Sequence, residues 1–223
     1  MSVYGTEQVA GPEGLTYAVL LVRALRADVL ALLARERFSG WVGPDEDGWV
    51  TAVPERPRGH VAARRRRVGD LAPVVAASLG TAAVAVLVHR DRLLRLWASD
   101  GGTPVTDYVS DAHLAHPDDD EAYGTEGLEG ARGLAALAGH PEAGDELTDL
   151  LGEELGESES ESERLMAVCR LLGWPTWLVA VDSLPRRVPG GPEADAFTRL
   201  RAGRTGPAGL LAARAAAVVR RAE

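Results

Sequence analysis

The stretch Val84-Ala85-Val86-Leu87-Val88-His89-Arg90-Asp91-Arg92-Leu93-Leu94-Arg95-Leu96-Trp97-Ala98-Ser99-Asp100-Gly101-Gly102-Thr103-Pro104-Val105-Thr106-Asp107-Tyr108-Val109 decides the fold class. Three runs of aliphatic, β-branched and aromatic residues, Val84 to Val88, Leu93 to Trp97 and Val105 to Val109, are separated by Arg90-Asp91 and by Asp100-Gly101-Gly102. Links this short join neighbouring antiparallel strands and leave no room for a crossover, so the stretch predicts a meander.

Working outward, Asp70 reads as an N-cap, and the apolar residues Val74, Val75 and Leu79 lead to Gly80, a C-terminal stop. The basic stretch Arg56 to Arg67 reads as a loop. Further back, Trp41-Val42 and Trp49-Val50-Thr51-Ala52-Val53 flank the turn-forming Gly43-Pro44-Asp45-Glu46-Asp47-Gly48 and predict a hairpin. Val29, Leu30, Leu32, Leu33 and Phe38 recur at helical spacing, with Asp28 in the first turn. Leu15 to Val22 is almost wholly apolar, the signature of a strand covered on both faces. The order β-α-β-β-α-β-β-β predicts an α+β fold, an antiparallel sheet of about six strands with helices on one face and a second face that needs a cover.

Downstream, Ser110 to Gly127 reads as an acidic loop, and two short leucine-bearing segments (Leu128, Leu134, Leu137 and Leu147, Leu150, Leu151) read as helices. Ser160-Glu161-Ser162-Glu163 forms a capping box before Leu165, Val168, Cys169 and Leu172, which share one helical face up to Gly173 and Pro175. A closing helix is expected over 208–222. The domain reading is a flexible lead over 1–14, a sheet domain over 15–110, an acidic loop over 111–127 and a helical extension over 128–223 packed on the same domain.

Asp107-Tyr108-Val109-Ser110, Gly133-Leu134, Glu163-Arg164-Leu165 and Leu171-Leu172-Gly173-Trp174-Pro175, in that order, resemble a group of uncharacterised bacterial α+β proteins over about residues 15–185. The resemblance implies the fold and carries no activity.

Composition narrows the function classes. All 24 basic residues are arginine, and lysine, isoleucine and asparagine are absent, as a gene of high GC content produces. Arginine clusters therefore say less about chemistry than usual. Without lysine there is neither a Schiff-base residue nor a P-loop cation, and no Gly-x-Ser-x-Gly elbow or dinucleotide fingerprint occurs. One cysteine excludes an internal disulfide. No run reaches the length of about 18 apolar residues that spans a bilayer. The first fourteen residues carry Glu7 and Glu13 and no basic start, so the expected location is the cytoplasm.

Charge is segregated: residues 1–100 carry 13 Arg against 11 acids, 101–163 carry 1 against 18, and 164–223 carry 10 against 4. The acidic block would repel a phosphate backbone. These features predict a non-catalytic interaction or regulatory module, of the inhibitor or immunity type, that meets another protein without a cofactor. Its candidate partner-binding residues are Asp118, Asp119 and Asp120, with Trp41 and Trp49 if these face outward. An alternative is metal-assisted hydrolysis with His113, His116 and Asp118 as ligands, since imidazole and carboxylate together suit zinc or a related ion. A third is phosphate binding by Arg64, Arg65, Arg66 and Arg67, which lack an interleaved aromatic to stack a base. Cys169 lies on an apolar helical stripe and reads as core.

Overall fold

Strand β1 (Tyr17–Val22) is buried along its whole length. Successive side chains of a strand point to opposite faces, and here Tyr17, Val19 and Leu21 enter one apolar core while Ala18, Leu20 and Val22 enter another. This strand therefore divides the molecule into two layers. The computed structural model describes residues 14–55, 60–61, 66–119, 121–155, 160–179, 181 and 190–201.

The chain continues through α1 (Arg26–Arg35), β2 (Ser39–Glu46), β3 (Trp49–Pro54), the short pair β4 (His60–Val61) and β5 (Arg66–Arg67), and α2 (Val68–Leu79). The meander follows as β6 (Ala82–His89), β7 (Leu93–Asp100) and β8 (Thr103–Val109), and then come α3 (Ala112–Ala115), α4 (Ala131–Ala138), α5 (Gly144–Gly152), α6 (Glu161–Leu171) and β9 (Thr198–Arg201). The main sheet has seven strands in the order β8-β7-β6-β1-β3-β2-β9, and every pairing is antiparallel. The α+β class matches the sequence reading, and so does the strand-helix order, apart from the short β4-β5 pair within the stretch read as a loop and the added edge strand β9. Among the described residues no helix is long and apolar enough to cross a membrane.

Helices α1 and α2 cover one face through Val29, Leu32, Leu33, Leu71, Ala72, Val75 and Ala76. The other face is covered by α4, α5 and α6 through Leu134, Leu147, Leu151, Leu165 and Val168. Helices thus lie on both faces, and the cover that the second face required comes from the C-terminal helical segment.

Local chemistry explains the boundaries. Asp47 (φ 52°) and Gly48 (φ 82°) turn the β2-β3 hairpin with the left-handed pair that matches strand twist. Pro44 has no N–H to donate, and the pairing slips between Val42 and Asp45 to accommodate it. Asp70 is not the N-cap of α2: the helix starts two residues earlier, and the Asp70 carboxylate accepts from the Arg67 backbone N–H at 2.9 Å. Gly80 ends that helix at φ 62°. Arg26 fastens α1 to the sheet edge, its Nε donating to the Gly43 carbonyl at 2.7 Å and its Nη2 to the Ala196 carbonyl and Thr198 Oγ1, each at 2.8 Å.

Gly69, in the first turn of α2, lies flat against Trp97 on β7, and a Cβ added there would stand 2.5 Å from the ring. Alanine normally gains about 1 kcal/mol over glycine inside a helix. Overpacking costs about 1–3 kcal/mol, and the neighbour here is a wide, part-buried ring rather than a flexible tip. Gly69→Ala is expected to lower unfolding stability in urea; a gain would show that the indole gives way.

Candidate functional site

The described residues of the acidic segment after β8 form a hydrogen-bonded excursion. Asp111 caps α3, its Oδ1 accepting from Leu114 N–H at 2.9 Å, and Ala112 N–H donates to the Gly124 carbonyl at 2.8 Å. The Asp119 carboxylate accepts from Glu121 N–H at 3.0 Å. The chain then returns to the sheet, where Val109 and Glu126 exchange both backbone hydrogen bonds at 3.0 and 2.9 Å and Thr106 Oγ1 donates to the Gly127 carbonyl at 2.9 Å. Gly127 (φ 73°) has to be glycine because a Cβ there would collide with the Asp107 carbonyl. The excursion shields part of the edge of β8, whose unpaired groups would otherwise invite another strand.

A buried polar cluster holds the base of this excursion against α6. The Arg164 and Glu161 side chains are each 3% exposed and 3.6 Å apart. Arg164 Nη1 donates to Tyr108 Oη at 3.0 Å, Nη2 donates to the Glu153 carbonyl, and Tyr108 Oη donates to the Leu151 carbonyl at 2.8 Å. Alongside, Asp91 Oδ2 accepts from Leu15 N–H at 2.8 Å, its Oδ1 accepts from Ser162 Oγ, and its carbonyl accepts from Glu161 N–H at 3.1 Å. With the Ser162 proton given to Asp91, Tyr17 Oη is the donor across its 3.0 Å contact with Ser162 Oγ. Asp91 (φ 53°) and Arg90 (φ 54°) occupy left-handed conformations in the β6-β7 turn. Such strain persists where the surroundings over-determine it, and Asp91 is fixed by the three bonds above and by its own N–H, which donates to the Leu15 carbonyl at 2.9 Å.

Burial raises the Glu161 carboxyl above the ordinary range, opposed by a hydrogen bond with Ser110 and the charge of Arg164 and reinforced by Asp111 and Asp91. One oxygen, Glu161 Oε2, is buried without a hydrogen-bond partner. Burial also pushes the Tyr108 hydroxyl up to about 12. The hydrogen bonds of the cluster fasten α6 and the base of the acidic excursion to the sheet.

The residues singled out in the sequence fall as follows. His113 is exposed and stacks on Tyr123, centroids 5.9 Å apart and planes 4° from parallel. His116 ends α3 and turns instead to Glu126, Nε2 to Oε2 3.7 Å. The two imidazoles thus have different partners, and among the described residues no group of three or more His, Cys, Asp or Glu is placed to hold a metal ion. The ligand set His113, His116 and Asp118 is therefore not assembled. Asp118 and Asp119 are exposed, and Asp120 lies outside the described residues.

Trp41 and Trp49 do not face outward. They are 8% and 3% exposed, beneath the second helical layer, where Trp49 meets Trp174 edge to face at 5.9 Å. Arg64 and Arg65 lie outside the described residues, while Arg66 and Arg67 form β5. Cys169 is fully buried, and burial pushes its thiol up to about 12. The Trp174 to Leu178 segment that follows α6 makes a single turn, Thr176–Leu178, with both tryptophans buried.

Carboxylates are prominent on the exposed surface of the acidic segment. In the segment 101–163, Asp107, Asp145, Glu126 and Glu142 have basic partners in Arg95, Arg132, His116 and His140, the two histidines only when protonated. Asp118, Glu121, Glu129, Glu146, Asp149 and Glu154 are exposed and have no ion pair among the described residues. Sequence reasoning pointed to the acidic block but missed Tyr123, Glu161 and Arg164.

Removing one partner of a buried pair strands the other, at a typical cost of about 3–5 kcal/mol. Arg164→Met should approach that loss near neutral pH. The native Glu161 carboxyl keeps its proton to higher pH than the unfolded one, so its contribution to stability is lost as pH rises from the ordinary carboxylate range through the raised value. The deficit of Arg164→Met should accordingly shrink as pH falls, and Glu161→Gln added to it should restore part of the stability and flatten the pH dependence. Urea titrations over that range read both effects; a deficit indifferent to pH and to Glu161→Gln would contradict the account.

No family model, no curated protein and no solved structure matches this chain.

Proposed function

We propose that this protein is a non-catalytic interaction module whose acidic segment docks a basic protein partner, in the manner of an inhibitor or immunity protein acting in the cytoplasm. The observation that carries this reading is the set of exposed carboxylates, Asp118 and Glu121 on the loop after α3 and Glu146 and Asp149 on α5, that have no ion pair among the described residues. Unpaired surface charge of one sign self-repels, and a partner of opposite potential relieves that repulsion and is steered toward it.

Two further observations fit. The loop is tied to the sheet by backbone hydrogen bonds at Val109 and Glu126, so its charges are presented on a fixed frame with little ordering cost on binding. The lone cysteine, Cys169, is sealed in the core and presents no exposed thiol.

The experiment is recovery of the tagged protein from its host over a range of ionic strength, followed by reconstitution with the purified partner. A stoichiometric basic protein is expected, released as salt shortens the screening length from about 30 Å at 0.01 M toward 3 Å at 1 M. Neutralising Asp118, Asp119 and Asp120 to Asn should slow association about tenfold or more, the range that electrostatic steering covers. Association indifferent to salt and to these substitutions would reject the reading.

A further inference from the structure

We propose that the stacked rings of His113 and Tyr123, with the carboxylates of Asp118, Asp119 and Glu121, form a seat for an arginine side chain of the partner. The inference rests on the docking reading above and names the partner group and the place where it binds.

Among the described residues only four large apolar side chains are substantially exposed, and two of them, Tyr123 at 74% and Leu114 at 44%, belong to this excursion. The Tyr123 ring stacks with that of His113, at 5.9 Å between centroids and nearly parallel. The backbone bond from Ala112 to Gly124 sets residue 123 against α3, and the Asp119 carboxylate is fixed by its bond to Glu121 N–H. The excursion thus carries a large ring facing water and, shortly before it in the chain, exposed carboxylates that have no ion pair among the described residues.

The rest of the molecule shows what completes it. The Arg95 guanidinium lies over the Trp97 ring at 4.8 Å while its Nη2 meets Asp107 at 3.2 Å. The Arg199 guanidinium lies over Trp41 at 5.1 Å while its Nη2 meets Glu55 at 2.8 Å. In both places one arginine satisfies an aromatic face and a carboxylate together. Tyr123 and its neighbouring acids repeat the aromatic and carboxylate parts without an arginine from this chain among the described residues. A guanidinium fits because it is flat enough to stack on the ring and forked enough to bond a carboxylate, whereas an ammonium offers only a compact charge.

The test compares two labelled peptides of equal length and charge, one alternating arginine with glycine and the other alternating lysine with glycine, titrated into the full chain at low salt. The wild type should bind the arginine peptide about two- to fivefold more tightly. Tyr123→Ala should abolish that preference with little effect on the lysine peptide, and Tyr123→Phe should keep it. Replacing Asp118 and Glu121 by their amides should weaken both peptides. Equal binding of the two peptides by the wild type, or a preference that survives Tyr123→Ala, overturns the arginine seat and leaves the docking reading standing. Failure of both peptides to bind overturns the two together.

Discussion

A strand placed at the middle of a sheet with apolar residues on both sides forces the molecule around it to have two covers. β1 imposes that condition here: three of its side chains point into the core under α1 and α2, and three into the core under α4, α5 and α6. Neither helical group can leave without exposing one side of the same strand. The burial of Trp41, Trp49 and Cys169, the place of α6 and the route of the acidic excursion all follow from closing the second side.

Closing that side brings polar groups with it, because α6 starts where β8 ends and where the β6-β7 turn meets Leu15. The structure resolves the conflict by concentrating polarity. Arg164 takes the Tyr108 hydroxyl and the Glu153 carbonyl, Asp91 takes the Leu15 amide and the Ser162 hydroxyl, and Glu161 pairs with Arg164 in the same buried volume. Only one carboxylate oxygen of this cluster lacks a partner. Such a network favours a single seating of the helix, since a shifted helix would bury these groups unbonded. The base of the acidic excursion is consequently held in one place beside α6.

Elements with strong local signals were legible before the fold was seen. The capping box at Ser160 and Glu163 forms as read, with hydrogen bonds of 3.3 and 3.1 Å, and the meander spacing identified β6, β7 and β8. β9 escaped because Thr198-Arg199-Leu200-Arg201 has no apolar period of its own; it is a strand because Arg26, Trp41 and Glu55, remote in the chain, receive it. The sidedness of Trp41 and Trp49 was equally hidden, since alternation shows which residues share a face but not whether that face meets water or a helix. Glu161 and Arg164 look in the sequence like an ordinary surface pair three apart, and only the packing of β8 and α5 beside them makes the pair interior. The pairing of His113 with Tyr123 and of His116 with Glu126 depends on how the loop closes, which no local pattern encodes.

The position of β1 also bears on how the chain is made. Its neighbours in the sheet are β3 and β6, with Leu20 set between Ala52 and Ala85. During synthesis from the N-terminus, the segment Tyr17 to Val22 emerges long before β6 exists to flank it. Until the ribosome has passed His89, a fully apolar strand has at most one of its two edges paired, and the helices that seal its second face come later still. Nascent chains in that interval present a segment suited to sticking to one another, so translation speed and chaperone capture bear most on yield while the first half of the chain is being made.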